Sequence, residues 1–328
     1  MTPEALRSLV HGAFSAAGMS DADAERVADV LVWAELRGMG SHGVMRVPRY
    51  IELVRKGDLN VRPAMTVSNE TAACLLLDAD RAAGPVAMVR AMRAAIDKAR
   101  AAGIGLALVR KTTHTAALGY YTQLAAREGF AAIAFAASGP NMAYHGARAA
   151  GVSTAPLSIA VPGEDEPVAL DMGSGVVSIG RLLQARRSGE RLTEGSALDR
   201  NGEATVDGRA AAIPLPLGGP KGSGLALLFE CIASLLTANP ILAEALEGTP
   251  AGERHQQNGA AIAIDIARFI PVEKFSAEVS RLARDLKALP AQPGAEILMP
   301  GERGHRSARR GELDIPAALV NEIRSLAS

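Results

Sequence analysis

From residue 72 onward the chain alternates short, almost wholly apolar runs with alanine-rich segments of helical period, and no other feature limits its fold as tightly. The runs at 73–77, 104–109, 130–136, 158–161 and 168–172 are bounded by Gly, Pro or charge. Strands without polar alternation have both faces covered. An Ala/Arg helical segment at 86–102 separates the first two runs, so the pattern predicts an α/β fold of three layers, α/β/α. Further along, the spacing predicts helices at 177–188, 272–288 and 316–326 and strands at 260–266 and 296–299. The polar, Gly-bearing stretch at 195–208 reads as a surface excursion, and the apolar segment 225–236 follows a Gly-rich loop.

The first 70 residues have a different texture. Thr2 caps a helix that places Leu6, Leu9, Val10 and Phe14 on one face, and Ser20 with Asp23 three positions later opens a second helix. That second helix carries Val27, Ala28, Leu31 and Ala34 and stops at Gly38, where a left-handed cap costs little. The terminal helices are expected to pack together. Residues 1–70 with 305–328 would then form a small helical domain, discontinuous in sequence, beside an α/β domain at 71–304.

Charge narrows the partners. Lys and Arg total 35 and Asp and Glu total 35, so no basic surface argues for nucleic acid or anionic lipid. No apolar run reaches 18 residues and no basic, apolar leader opens the chain, which points to a cytoplasmic protein that does not enter membranes. The two cysteines, Cys74 and Cys231, lie far apart without a paired His, so neither zinc nor a disulfide is expected. A small molecule is the expected partner.

Several constellations carry chemistry. Gly38-x-Gly40-x-x-Gly43 spells a dinucleotide fingerprint but follows a helix rather than a strand, so it is rejected as a cofactor loop. Within it, Ser41 precedes His42, and Arg46 follows four residues later. An imidazole passes a proton to a carbonyl oxygen, a guanidinium forks onto a carboxylate, and Ser41 orients the imidazole; the plainer reading is a loop His beside a surface Arg. His114 follows the 104–109 strand, at the end of a sheet where ligands gather, and is placed to meet nicotinamide or substrate; the plainer reading is a histidine satisfied by a loop carbonyl. Asp171, Met172 and Gly173 close another strand, with the glycine letting a ligand approach the backbone, or simply an ordinary strand-to-helix turn with an N-cap. The Gly218–Gly224 loop with Gly219 and Lys221 lacks Walker order but offers N–H groups and a cation to a pyrophosphate. Pro300, Gly301, Glu302, Arg303 and Arg306 form a polar loop whose arginines reach for phosphate or ribose, or simply a solvated turn. No GxSxG surrounds Ser41, Ser174 or Ser223, which leaves a serine hydrolase without its nucleophile elbow.

In this order and spacing, these segments resemble the malate/L-lactate dehydrogenase family that lacks the usual Rossmann fingerprint. Its relatives include ureidoglycolate and sulfolactate dehydrogenases and cyclic-imine carboxylate reductases. The likeness rests on Ser41-His42-Gly43-Val44-x-Arg46, His114 with Gly119-Tyr120-Tyr121, Thr154-x-Pro156, Asp171-Met172, Gly218-Gly219-x-Lys221-Gly222, Ala263-Ile264-Asp265 and Pro300-Gly301-Glu302. The resemblance implies a mixed sheet, a homodimer, NAD or NADP as cofactor, and exchange between a small 2-hydroxy acid and its 2-oxo acid. It implies His42 as proton donor, Ser41 as its relay, Arg46 as carboxylate clamp, and Thr154, with His114, as substrate contacts. It also implies cofactor contacts at His114, Thr115, Ala116, Ala117, Leu118, Asp171, Met172, Gly173, Gly219 and the loop from Pro300 to Arg306. The alternative is an NADPH-dependent reductase of piperideine- or pyrroline-2-carboxylate. Those reductases resemble this chain but carry an acidic relay where Arg181 stands here. A serine hydrolase or a non-catalytic binding protein are the remaining rivals.

Overall fold

The computed structural model describes residues 1–249, 255–311 and 313–327. Three helices open the chain: α1 (Pro3–Ala16), α2 (Asp21–Leu36) and α3 (Val47–Lys56). Then come β1 (Thr66–Ser68), β2 (Cys74–Asp78), α4 (Gly84–Ala102), β3 (Ile104–Thr112), α5 (Gly119–Arg127) and β4 (Phe130–Ser138). They are followed by β5 (Met142–Ala143), β6 (Ala150–Val152), β7 (Pro156–Val161), β8 (Val168–Gly173) and α6 (Ile179–Ser188). The second half adds β9 (Ala197–Leu198), β10 (Ala204–Thr205), β11 (Ile213–Pro214), α7 (Pro220–Glu230), α8 (Leu242–Glu247) and β12 (Gln257–Asp265). It ends with α9 (Val272–Lys287), α10 (Glu302–Ala308) and α11 (Ala317–Leu326).

Seven strands form one mixed sheet in the order β1-β2-β3-β12-β4-β7-β8. Only β2 and β3 pair in parallel; every other neighbouring pair is antiparallel. Alternate residues feed two cores. Ala107 and Val109 of β3 and Ala261 and Ala263 of β12 face α4 and the N-terminal helices. Leu106, Leu108, Ala260 and Ile262 face Phe229 and Ala233 on the other side. With both faces covered, the strands need no polar alternation, which is why their sequences read as unbroken apolar runs.

The caps formed as their residues dictate. The Thr2 hydroxyl accepts from the Ala5 N–H at 3.2 Å, and Ser20 accepts from the Asp23 N–H while donating to its carboxylate. Gly38 takes the left-handed conformation, φ 72°, just past α2. At the other end of the chain, α11 packs on α1 and α3.

Three expectations need correction. Residues 296–299 pair with no strand; Met299 N–H goes to the Glu302 carboxylate, and the edge strand β8 donates one bond, from Ala169 N–H to the Pro300 carbonyl. An apolar run without a ladder partner stays coil. Residues 195–208 are more than an excursion, because β9, β10 and β11 form a small sheet whose Ala197 joins Leu182, Ala185, Leu192 and Ala211 in a core of its own. The 225–236 segment begins at Pro220 and widens into a π-helical turn at Cys231–Leu235.

Close packing of α4 on β3 depends on Gly105, where an added methyl would stand 1.9 Å from the Ala95 carbonyl oxygen. Overpacking of this kind costs about 1–3 kcal/mol. Gly105→Ala is therefore expected to lower the urea midpoint at unchanged slope; an unshifted midpoint would show that α4 and β3 can separate freely.

Candidate active site

The antiparallel register brings the ends of β3, β4 and β8 and the starts of β7 and β12 to one end of the sheet. Gln257 lies opposite Thr112 and Ser138, and Gly173 opposite Pro156. A cavity of about 630 Å³ opens there, closed from above by the 3₁₀ turns Gly40–His42 and Val44–Arg46. His42, Arg46, His114, Thr115, Ala116, Ala117, Thr154, Asp171, Met172 and Gly173 all line it.

The loop that carries His42 is held by close contacts rather than by flexibility. Glu35 of α2 accepts from the Val44 N–H at 3.0 Å, and Gly43 lies so close to that carboxylate that a side chain would collide with it. Burial raises the Glu35 pKa above its usual value, against the pull of the Val44 N–H. Gly180 of α6 presses on Ser41 in the same way; a methyl added there would stand 2.5 Å from the Ser41 Cβ. The glycines of this segment thus serve helix-to-loop contact, which accounts for a fingerprint in letters without a strand before it.

Within this frame the Ser41 Oγ stands 3.0 Å from His42 Nδ1, and the Arg46 Nε–H donates to the Ser41 carbonyl at 2.6 Å. The His42 and His114 rings stack, centroids 5.6 Å apart. Burial, and then the Arg46 charge, push the His42 pKa down to about 4, so its imidazole is neutral at pH 7. Burial is also the main cause that holds His114 well below its ordinary value, helped by Arg46, His42 and His255.

His114 is fixed by Tyr50 of α3. The Tyr50 oxygen lies 2.8 Å from His114 Nδ1 and 2.9 Å from the His114 carbonyl oxygen. A phenol has one hydrogen. Both contacts are hydrogen bonds only when Tyr50 donates to the carbonyl and accepts from Nδ1–H, which makes Nε2 an acceptor. The following residues are pinned as well: Thr115 donates through both its N–H and its hydroxyl to Gln257, and the Tyr121 hydroxyl donates to the Thr115 carbonyl at 2.7 Å. Ala116 is held at φ 53°, a left-handed strain of about 1–3 kcal/mol for a residue with a side chain.

These features fit a nicotinamide cofactor. Ala116 and Ala117 are 3% and 2% exposed, yet their N–H groups find no acceptor among the described residues. Buried donors without partners are costly, and a ligand rich in acceptors relieves them. Asp171, buried beside them, accepts from the Gly119 N–H at 2.7 Å, and burial raises its pKa to about 6.

A model of the malate/L-lactate dehydrogenase family matches residues 1–324. The chain belongs to that family. It is 32% identical to the L-sulfolactate dehydrogenase of Methanocaldococcus jannaschii, covering 99% of this chain and 96% of that one. It is 34% identical to a malate dehydrogenase of Pyrococcus horikoshii over 94% of this chain and 89% of the relative. The solved malate dehydrogenase of Entamoeba histolytica superposes with a TM-score of 0.94 at 26% identity, covering 99% and 96% of the two chains. This member of the malate/L-lactate dehydrogenase family is accordingly a nicotinamide-dependent oxidoreductase of hydroxy acids.

Other positions expected from the sequence fall elsewhere. Leu118 is fully buried in the main core. Gly219 packs beside His145, and Lys221 is exposed outside the cavity lining. The loop from Pro300 to Arg306 runs alongside β8 at Ala169, with Glu302 paired to Lys287 and Arg306 and Arg303 exposed. In the single chain none of these lines the cavity. Conversely, Arg49, Asn141, His255 and Gln257 line the cavity although no motif marks them. Arg49 was detectable as the residue one helical turn after Arg46; the others depend on register, which one sequence does not display.

Tyr50→Phe removes the group that fixes the His114 tautomer. The ¹⁵N shifts of His114 are expected to report Nδ1–H in the parent protein and a mixture of tautomers in the variant; identical spectra would refute the tyrosine's role.

Proposed function

We propose that this cavity exchanges a hydride between NAD or NADP and a small 2-hydroxy acid or its 2-oxo acid, with His42 as the acid–base group and Arg46 as the carboxylate clamp. The convergence of a neutral imidazole and a guanidinium on one cavity, beside unpaired backbone donors, carries this reading. The relatives named malate and sulfolactate dehydrogenase support the class of acid.

When bound, the nicotinamide ring supplies or accepts the hydride. In the oxidative direction His42 keeps Nδ1–H on the Ser41 oxygen and takes the substrate hydroxyl proton at Nε2 as the C–H bond is lost. In reduction, the same imidazolium returns that proton to the carbonyl oxygen. Arg46 spends Nε on the Ser41 carbonyl, which leaves its terminal nitrogens for a bidentate grip on the acid. Thr154, its N–H held by Asn141 at 2.7 Å, contacts the substrate. His114, Thr115, Ala116, Ala117, Asp171, Met172 and Gly173 hold the cofactor. Arg181, exposed and paired with Glu190, offers no acidic relay, which favours a hydroxy acid over a cyclic imine.

The working form in this reading is a homodimer in the cytoplasm, with 1–70 and 305–328 as one structural unit and 71–304 as the other. The packing of α11 on α1 and α3 supports the division. The exposed Leu228, Leu235 and Leu236, at 59%, 52% and 66%, support a covered face. Two cysteines outside any disulfide suit a reducing compartment.

General acid–base help is worth about 10²–10⁴-fold. His42→Ala is expected to lose roughly that much turnover while still binding NADH by fluorescence; near-normal turnover would end the assignment. Arg46→Ala should act chiefly through substrate affinity, raising KM far more than it lowers kcat. Because the depressed pKa leaves His42 a competent base above about pH 4, kcat/KM for hydroxy-acid oxidation should stay level between about pH 5 and 7 and fall as acid reaches about 4. A limb centred near the ordinary histidine value of about 6.5 would contradict the geometry.

A further inference from the structure

We infer that Asp171 and the Ala116–Ala117 turn together recognise the carboxamide of the nicotinamide ring, the carboxylate reading its NH2 group and the backbone N–H groups its carbonyl oxygen. The inference rests on the nicotinamide reading above and deepens it, naming which end of the cofactor these residues meet and which group decides its fit.

The turn is pinned at both ends and leaves its middle unpaired. Before it, Thr115 is held to Gln257 through its N–H and its hydroxyl, and its carbonyl takes the Tyr121 hydroxyl. After it, the Gly119 N–H donates to one Asp171 oxygen at 2.7 Å. Between these bonds the Ala116 and Ala117 N–H groups find no acceptor among the described residues, although both residues are buried. Asp171 is half used in the same way. Its second oxygen meets no donor among the described residues, and it lines the cavity together with Ala116 and Ala117. Gly119 permits the approach: a methyl there would stand 2.8 Å from the bonded Asp171 oxygen and 3.3 Å from the Trp33 ring. Two donors and one acceptor without partners therefore border one cavity, tied to each other through the Gly119 N–H.

That set selects among the parts of a nicotinamide dinucleotide. A pyrophosphate brings acceptors and negative charge, and a carboxylate beside it repels it. A primary carboxamide brings both halves of the match, a carbonyl oxygen with two lone pairs and an NH2 with two hydrogens. Ribose hydroxyls also pair with carboxylates, and position excludes them here. The carboxamide stands on the ring carbon next to the one that carries the hydride, whereas the ribose is attached across the ring at nitrogen. Ala116 follows two residues after His114, whose ring stacks on His42 at 5.6 Å between centroids, so the turn borders the reacting centre. Burial raises the Asp171 pKa to about 6 and the Gly119 N–H opposes that rise; at pH 8 the carboxylate is ionised and only accepts. A ring flip about the glycosidic bond would carry the carboxamide away from both partners, so the same contacts fix the face from which the hydride leaves.

Calorimetry of the full chain at pH 8, without substrate, reads the site through three dinucleotides. These are NADH, its 3-acetylpyridine analogue, which keeps the carbonyl and replaces NH2 by methyl, and its nicotinic acid analogue, which carries a carboxylate; the NADPH series replaces them where the parent binds NADPH more tightly. The 3-acetylpyridine form is expected to bind roughly 10- to 100-fold more weakly than NADH, the worth of one hydrogen bond to a charged group, and the nicotinic acid form more weakly still. Asp171→Asn keeps an oxygen for the Gly119 N–H and turns an NH2 toward the cavity. It should weaken NADH and strengthen the nicotinic acid form, shrinking their affinity ratio by about 10-fold or more; a general loosening of the fold weakens both alike and leaves the ratio unmoved. Equal binding of NADH and either analogue by the parent, or an unchanged ratio in Asp171→Asn, overturns the carboxamide assignment while the dinucleotide reading stands. The parent's own ranking decides the case should the variant not fold. If no dinucleotide binds, the cofactor reading fails and the assignment with it, a result distinct from binding without discrimination.

Discussion

The Tyr50 hydroxyl ties the helical opening of the chain to the sheet. It joins α3 to the loop after β3 across 64 residues of sequence, bonding both the backbone and the ring of His114. Buried completely, it has no water to fall back on, and burial raises its own pKa, so it remains a neutral donor and acceptor. That bond sets α3 against the loop after β3. The helices that present His42 and Arg46 are set against the strand ends, and His114 is placed flat against His42. The continuous core that joins the N-terminal helices to α4, β3 and β12 holds the helices and the sheet together, and the Tyr50 bonds fix His114 within that frame.

Electrostatics inside the cavity follow from that alignment. Removal from water makes protonation of either stacked imidazole expensive, and the Arg46 charge beside them adds to the cost. The free site is therefore positive through its guanidinium groups, with its histidines neutral. In the proposed reading, a carboxylate at Arg46 would cancel part of that charge, the second cause of the low His42 pKa, and so would move His42 toward the protonated form that reduction requires. On that reading, recognition of the acid and readiness of the proton donor would be coupled through one guanidinium.

Much of this was legible in the sequence, and the reasons differ by residue. Unbroken apolar runs announced a sheet covered on both faces, because alternate side chains of β3 and β12 enter two separate cores. Thr2, Ser20 and Gly38 announced helix ends through local chemistry. His42, Arg46, His114 and Asp171 were found because each lies beside a glycine or at the end of an apolar run. Gln257 and His255 were missed because their place is set by β12 inserting between β3 and β4, a pairing between segments far apart in sequence, and Asn141 because its place depends on bonds to Val152 and Thr154 across a turn. The 296–299 run misled for the same reason: composition specifies strand character but not the availability of a partner.

The glycines of the His42 loop show how a motif can be real and still be misread. Gly40 and Gly43 surround the Glu35 carboxylate, Gly180 receives Ser41, and Gly84 leaves room for the His114 carbonyl. Each permits close approach of chain to chain, the same property that lets a dinucleotide loop approach pyrophosphate. What differs is the element before the motif. Behind a strand, such glycines admit a phosphate; behind α2, they admit a glutamate of that helix. The carboxylate of Glu35 takes the Val44 N–H that a phosphate would have taken, and the His42 loop is closed by the chain itself. Cofactor donors must then come from another place, and the pinned, left-handed turn at Ala116 is where the structure leaves them free.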